Sequence, residues 1–391
     1  MKRGPVLTRA LLLVLVLAAC VHAPAPLEKP HLQPDQVASL LPSRAQDKEG
    51  WARDLVMALD TNGLPVDVEH ACAVIAVAEQ ESGFQANPVV PNLPAIARKA
   101  LEEKARALGP LGPRILKELL EVQSPGTQKT FEQRIDTLRT EADLDRLYRD
   151  LLAEHKRRHP FLYASADLGA SLFDTRDFEE RNPITTAGSM QVSVRFSEEH
   201  ARKLNRDPER VRDELYTRSG GLLYGSARLL LFEADYDTPL YRFADFNSGF
   251  YSSRNAAFQE QLSALTGMKL ALDGDLVSYD ALGAVKSDAT QSMAALDAFR
   301  EEFAPTLSSA QVRRDARLEK TVDFEGTKTW AAVRRAYVEK KKRKAAYARL
   351  PEVTLHSPKL QRELTTAWFA GAVEKRYQAC LSRAVEAQLP R

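Results

Sequence analysis

Glu79 and Glu81 stand at the end of an otherwise apolar helical stretch, in Ala78-Glu79-Gln80-Glu81-Ser82-Gly83-Phe84. Desolvation at such a place keeps a carboxyl group protonated near neutral pH, and a protonated carboxyl is a general acid. Glu81 continues the side of the helix that carries Val74 and Val77, while Glu79 continues the side of Cys72 and Ile75. Both sides are apolar, so periodicity does not choose between them. Two more short segments set polar residues among glycines: Ala187-Gly188-Ser189-Met190-Gln191-Val192 and Ala244-Asp245-Phe246-Asn247-Ser248-Gly249. The seven histidines fall without HExxH or other ligand spacing, so neither a metal site nor a cofactor is expected.

These segments need elements to hold them, and the pattern is mainly α. A helix is expected from about Asp67 to Ser82, closed by Gly83. Leu144, Leu147, Tyr148, Leu151 and Leu152 follow helical spacing behind a capping box at Thr140 to Asp143. Helical periodicity returns at about 207–215, from Leu222 to Ala234 and beyond Asp273, with an extended piece at 320–326. Residues 20–45, rich in proline, read as a tether.

The opening residues point to export. Lys2, Arg3 and Arg9 precede an apolar run from Ala10 to Ala19, which is too short to span a bilayer. Leu17-Ala18-Ala19-Cys20 resembles the lipobox of bacterial lipoproteins. That resemblance implies removal of residues 1–19 and lipidation of Cys20, whose thiol accepts the lipid. Val21 after the cysteine, where an Asp would imply inner-membrane retention in Gram-negative lipoproteins, implies the outer membrane. Cys72 and Cys380 then remain, and Cys72, in an apolar helix, reads more simply as a buried small residue than as half of a disulfide.

In their order along the chain, the three segments resemble the signature of soluble lytic transglycosylases, the goose-type lysozyme-like enzymes that read Glu-Ser-x-Phe, Gly-x-Met-Gln and Tyr-Asn-x-Gly. Gly221 to Leu230 is similar to that family's helix before the last motif. The likeness covers about 66–92 and 184–260. It implies a lysozyme-like helical domain at 46–272 with a long helical insertion at about 92–183, followed by a helical C-terminal region at 273–391. It selects Glu81 as the acid/base that cuts the bond between N-acetylmuramic acid and N-acetylglucosamine in peptidoglycan, leaving a 1,6-anhydro product. It implies that Ser82 bonds the sugar and that Gly188 lets the backbone approach the glycan. Met190 and Gln191 would line the cleft floor, with Phe246, Asn247 and Gly249 on the opposite wall. Phe246 departs from the family's tyrosine and removes a hydroxyl expected to orient the acid. Taken whole, the chain also resembles the YaiW-like bacterial lipoproteins of unknown function, which implies an outer-membrane location and no settled activity.

Composition narrows the partners. A net charge of +2 gives no electrostatic case for nucleic acid. The run Lys340 to Lys344 reads as a solvated helix face, with Trp330, Tyr337 and Tyr347 packed inward. The expected partners are therefore peptidoglycan glycan strands and, through the lipid, a membrane; the sequence names no protein partner. The alternative to an enzyme is a non-catalytic envelope lipoprotein that uses a degenerate lysozyme-like domain for binding or surface interaction.

Overall fold

A computed structural model describes residues 31–107, 109–158, 182, 184–280, 283–355 and 364–390. The signal segment 1–19 and Cys20 lie outside the described residues. The protein is mainly α, with three two-stranded antiparallel ribbons among the described residues. Among the described residues, no helix is long and apolar enough to cross a membrane.

Two hydrophobic cores organise the chain. The first runs from Leu32 to Phe246 and takes in Phe369 to Ala384. At its centre is α3 (Val68–Ser82), buried on every side from Ala71 to Ala78, as a helix apolar all round must be. Asp67 starts α3 by accepting the backbone N–H of His70 (2.9 Å), and Gly83 ends it at φ 58°. Around α3 lie α1 (Pro34–Leu40), α2 (Lys48–Thr61) and the helix Arg218–Leu230. The C-terminal helix Thr366–Glu386 returns to pack along α3, so it belongs to the first core although it is last in the chain. Cys72 and Cys380 form a disulfide between them. This corrects the reading of Cys72 as a lone buried residue: both cysteines are buried, on two helices packed against each other.

The tether reading is also corrected over its second half. Residues 34–40 form α1, and Leu32, Val37, Leu40 and Leu41 are buried. Pro34 sits at the start of α1, where its missing N–H costs nothing, so this proline opens a helix instead of breaking one.

The stretch between Glu81 and Gly188 supplies α4 (Leu93–Ala107), α5 (Gly112–Leu120), α6 (Phe131–Asp136) and α7 (Glu141–Arg158). The capping box expected at Thr140 is present: Asp143 N–H donates to Thr140 Oγ1 (3.3 Å), and Thr140 N–H donates to Asp143 Oδ2 (3.0 Å). A short ribbon of β1 (Thr186–Ala187) and β2 (Val192–Ser193) follows, and then α8 (Val194–Lys203), α9 (Val211–Leu215), α10 (Arg218–Leu230) and α11 (Pro239–Ser248).

The second core runs from Phe258 to Ala345. It comprises α12 (Ser252–Thr266), α13 (Gln291–Phe303), α14 (Ser309–Ala316) and α15 (Lys328–Lys341); the C-terminal helix Thr366–Glu386 is α16. The extended piece expected at 320–326 is instead a 3-10 turn, Val322–Gly326, that buries Phe324. Lys340 to Lys344 are exposed, but α15 ends at Lys341, so the run continues past the helix instead of forming one helix face; Trp330 and Tyr337 are buried and Tyr347 is half-buried.

Candidate functional site around Glu81 and Gln191

Glu81 is half-buried in the last turn of α3. Its neighbour Glu79 turns the other way, towards α1 and α16, and pairs with Arg44. The two faces that periodicity could not rank thus have different surroundings. Glu79 is engaged by an arginine on the α1 side, whereas Glu81 leads into the loop 83–92. Ser82 is held locally: its Oγ donates to Ala78 O (3.1 Å) and accepts Gln85 N–H (3.2 Å). Phe84 closes the end of the helix by meeting the Trp51 ring edge-on, centroids 5.4 Å apart.

The second segment is the four-residue turn joining β1 to β2. Gly188 has φ 80°, and a Cβ there would lie 2.2 Å from the carbonyl oxygen of Leu215. The close backbone approach that this glycine permits is to Leu215. Met190 is fully buried, and it packs so tightly on α10 that a Cβ on Gly225 would lie 2.3 Å from its sulfur. Gln191 takes the left-handed conformation, φ 49°, which a side-chain-bearing residue adopts at some cost. Its Nε2 donates to Glu141 Oε2 (3.0 Å) and to Gly188 O (3.2 Å), and its Oε1 accepts Thr186 Oγ1–H (3.3 Å).

The third segment lies on α11. Phe246 is buried and Asn247 half-buried, with Asn247 Oδ1 accepting the hydroxyl of Thr366 at the start of α16 (3.1 Å). Gly249 ends α11 at φ 117° and ψ 156°, a conformation almost confined to glycine. The fully buried polar member is Asp245. Its carboxylate accepts Ser253 N–H (2.7 Å) and the hydroxyl of Tyr236, and burial pushes its pKa upward against those bonds. Arg228 donates to the Asp245 carbonyl (3.2 Å) and lies 3.5 Å from the Phe250 ring centroid; its burial lowers its pKa to about 10.

All three segments border the first core, to which Phe84, Met190 and Phe246 belong. The first two are joined through α7. Val90 N–H donates to Arg139 O (2.9 Å) and Val89 bridges to Thr140, so the loop after Glu81 runs beside the start of α7. The first residue of α7 is Glu141, the carboxylate that receives Gln191. The third segment is tied to α16 instead, by Asn247 and by the ring of Phe243 against Tyr377 at 5.7 Å; α16 connects it to α3.

Glu141 is the residue that reading the sequence passed over. It is only 2% exposed, yet in the sequence it is one more acid in the first turn of a charged helix. One signal was present: Glu141, Asp145 and Arg149 recur every four residues and so share a face. In the structure that face meets the body. Asp145, wholly buried, pairs with Arg212 (2.9 Å) and with Arg149, which also pairs with Asp213. Among the described residues, no group of three His, Cys, Asp or Glu is placed to hold a metal ion.

Comparison with known proteins adds the family. A family model described as a protein of unknown function, DUF1615, matches residues 44–383. The chain belongs to the DUF1615 family. It is also 36% identical over 387 residues to the uncharacterized protein YaiW of Escherichia coli (strain K12), with 97% of this chain and 99% of that protein covered. No solved structure matches. Membership in DUF1615 corrects the expectation of a soluble lytic transglycosylase domain. The matched family runs unbroken through all three segments, the region between Glu81 and Gly188, and most of α16. Three blocks of six or seven residues carry far less information than a match of that length.

Proposed function

We propose that this protein is an exported lipoprotein, held at the outer membrane through Cys20, that cleaves peptidoglycan glycan strands with Glu81 as acid and base. Such chemistry at Glu81 requires no membership of a transglycosylase family. Glu81 in its protonated form donates to the oxygen of the bond between N-acetylmuramic acid and N-acetylglucosamine. The resulting carboxylate then takes the proton of the muramic 6-hydroxyl as that oxygen closes on C1, which restores the acid and leaves a 1,6-anhydro sugar. The observation that carries this reading is that the Gln191 amide binds the buried Glu141 at the start of α7, beside residues 89–90 of the loop that follows Glu81. The Cys72–Cys380 disulfide supports export, since such bonds persist in oxidising compartments.

A second reading, a non-catalytic envelope lipoprotein that binds glycan or a surface partner, is favoured by Phe246. This side chain is buried and carries no hydroxyl to orient an acid. One experiment separates the two. Purified protein is incubated with cell-wall sacculi, and soluble products are measured by mass spectrometry beside Glu81→Gln. Anhydro-muropeptides from wild type alone support cleavage. Equal release by wild type and variant refutes it, and binding to sacculi without any product leaves the second reading.

A further inference from the structure

The polarity of the Gln191 amide is fixed by its surroundings. Gly188 O, a pure acceptor, and Glu141 Oε2, which accepts as a carboxylate oxygen, lie 3.2 and 3.0 Å from Nε2, while a hydroxyl that can donate, Thr186 Oγ1, lies 3.3 Å from Oε1. Turning the amide over would set its oxygen against a carboxylate and a carbonyl, two acceptor–acceptor contacts in place of two bonds. Both N–H groups are therefore committed inside the protein. What remains for a ligand is the second lone pair of Oε1.

We propose that Glu141 is a positioning residue that holds Gln191 as a hydrogen-bond acceptor, so that this part of the site selects sugar groups that donate, the N–H of an N-acetyl group or a hydroxyl. This rests on the glycan-directed reading given above. Glu141 is suited to the task because it cannot yield: it is 2% exposed, it starts an eighteen-residue helix, and Asp145 and Arg149 pin that helix to the body one and two turns further on. Gln191 is equally committed, since its left-handed backbone fixes where the side chain leaves the turn. A carboxylate is needed here because an amide at 141 could present either its oxygen or its nitrogen and would no longer dictate the orientation of Gln191.

The test is a double-mutant cycle on the full lipoprotein in detergent, with purified sacculi as the probe and both binding and product release as readouts. Glu141→Gln and Gln191→Leu are each expected to weaken sacculus binding about tenfold, the worth of one hydrogen bond. Where product is released, the loss falls on KM and leaves kcat near wild type. The losses are expected to be less than additive, with the double variant close to Gln191→Leu alone, because Glu141 acts on the bound glycan through Gln191. A merely structural role for Glu141 predicts additive losses, and additive losses overturn the inference. Should Glu141→Gln not fold, Glu141→Asp, which keeps the charge and withdraws it by one methylene, takes its place in the cycle. Sacculus binding with non-additive losses but no product sustains the role of Glu141 and refutes cleavage. Failure of wild type to bind sacculi overturns both.

Discussion

The disulfide gives the most quantitative prediction. Cys72 and Cys380 are 308 residues apart in sequence, so their bond closes a loop over most of the protein, including the whole second core. Chain-entropy reasoning for a loop of that size gives about 5–6 kcal/mol at 25 °C as an upper bound, because denatured chains keep residual structure and measured values centre on about 2–4 kcal/mol. Both cysteines are fully buried, so a reductant does not reach the bond in the folded protein, and substitution is the clean perturbation. The variant Cys72→Ala/Cys380→Ala is expected to lose about 3–5 kcal/mol of unfolding free energy. The loss belongs to the first core, because α3 and α16 are the helices released. Denaturant titration gives the magnitude, and hydrogen exchange resolved by segment gives the location: α3 and α16 lose protection while α13 to α15 keep theirs. A double variant within about 1 kcal/mol of wild type would refute the reasoning, as would equal loss in both cores. Thiol titration of unreduced protein offers an independent check, with neither Cys72 nor Cys380 expected to react.

Two further predictions concern single residues. Burial pushes Glu319 up to about 7, although it accepts bonds from Leu276 N–H, Val277 N–H and the Tyr279 hydroxyl. The folded protein then holds a proton that the unfolded chain has released, so stability falls as pH rises from about 4.5 to 7, by up to about 3 kcal/mol. Urea midpoints at pH 5 and pH 7.5 should show that fall in wild type and a shallower one in Glu319→Gln; equal slopes count against it. Gly188→Ala would place a methyl group 2.2 Å from the Leu215 oxygen at φ 80°, and a backbone atom there cannot step aside. A loss of about 2 kcal/mol or more in the thermal or urea midpoint is expected, and a neutral substitution would show that the turn relaxes.

Features that depend on neighbours along the chain are readable from residue order alone. The span of α3 follows from its apolar run between Asp67 and Gly83, and the start of α7 from the Thr140–Asp143 box, because caps and periodicity are local signals. The basic run at Lys340 to Lys344 was legible for the same reason. Five consecutive basic residues stay in water wherever the chain runs, and all five are exposed. Prolines misled at residues 34–45, where a short helix begins on one and a rich proline count looks like a tether.

Tertiary structure decided everything that depends on distant partners. Nothing near Cys72 names Cys380, since pairing is set by the packing of α16 along α3. Glu79 and Glu81 are equivalent by period, and the approach of Arg44 to Glu79 comes from a distant segment that no local pattern names. Glu141 looks like any exposed acid in a helix until the turn at Gln191 folds against it. Burial and hydrogen bonding are properties of space and not of order along a chain, so a carboxylate's chemistry is unreadable until its neighbours from other segments are in place.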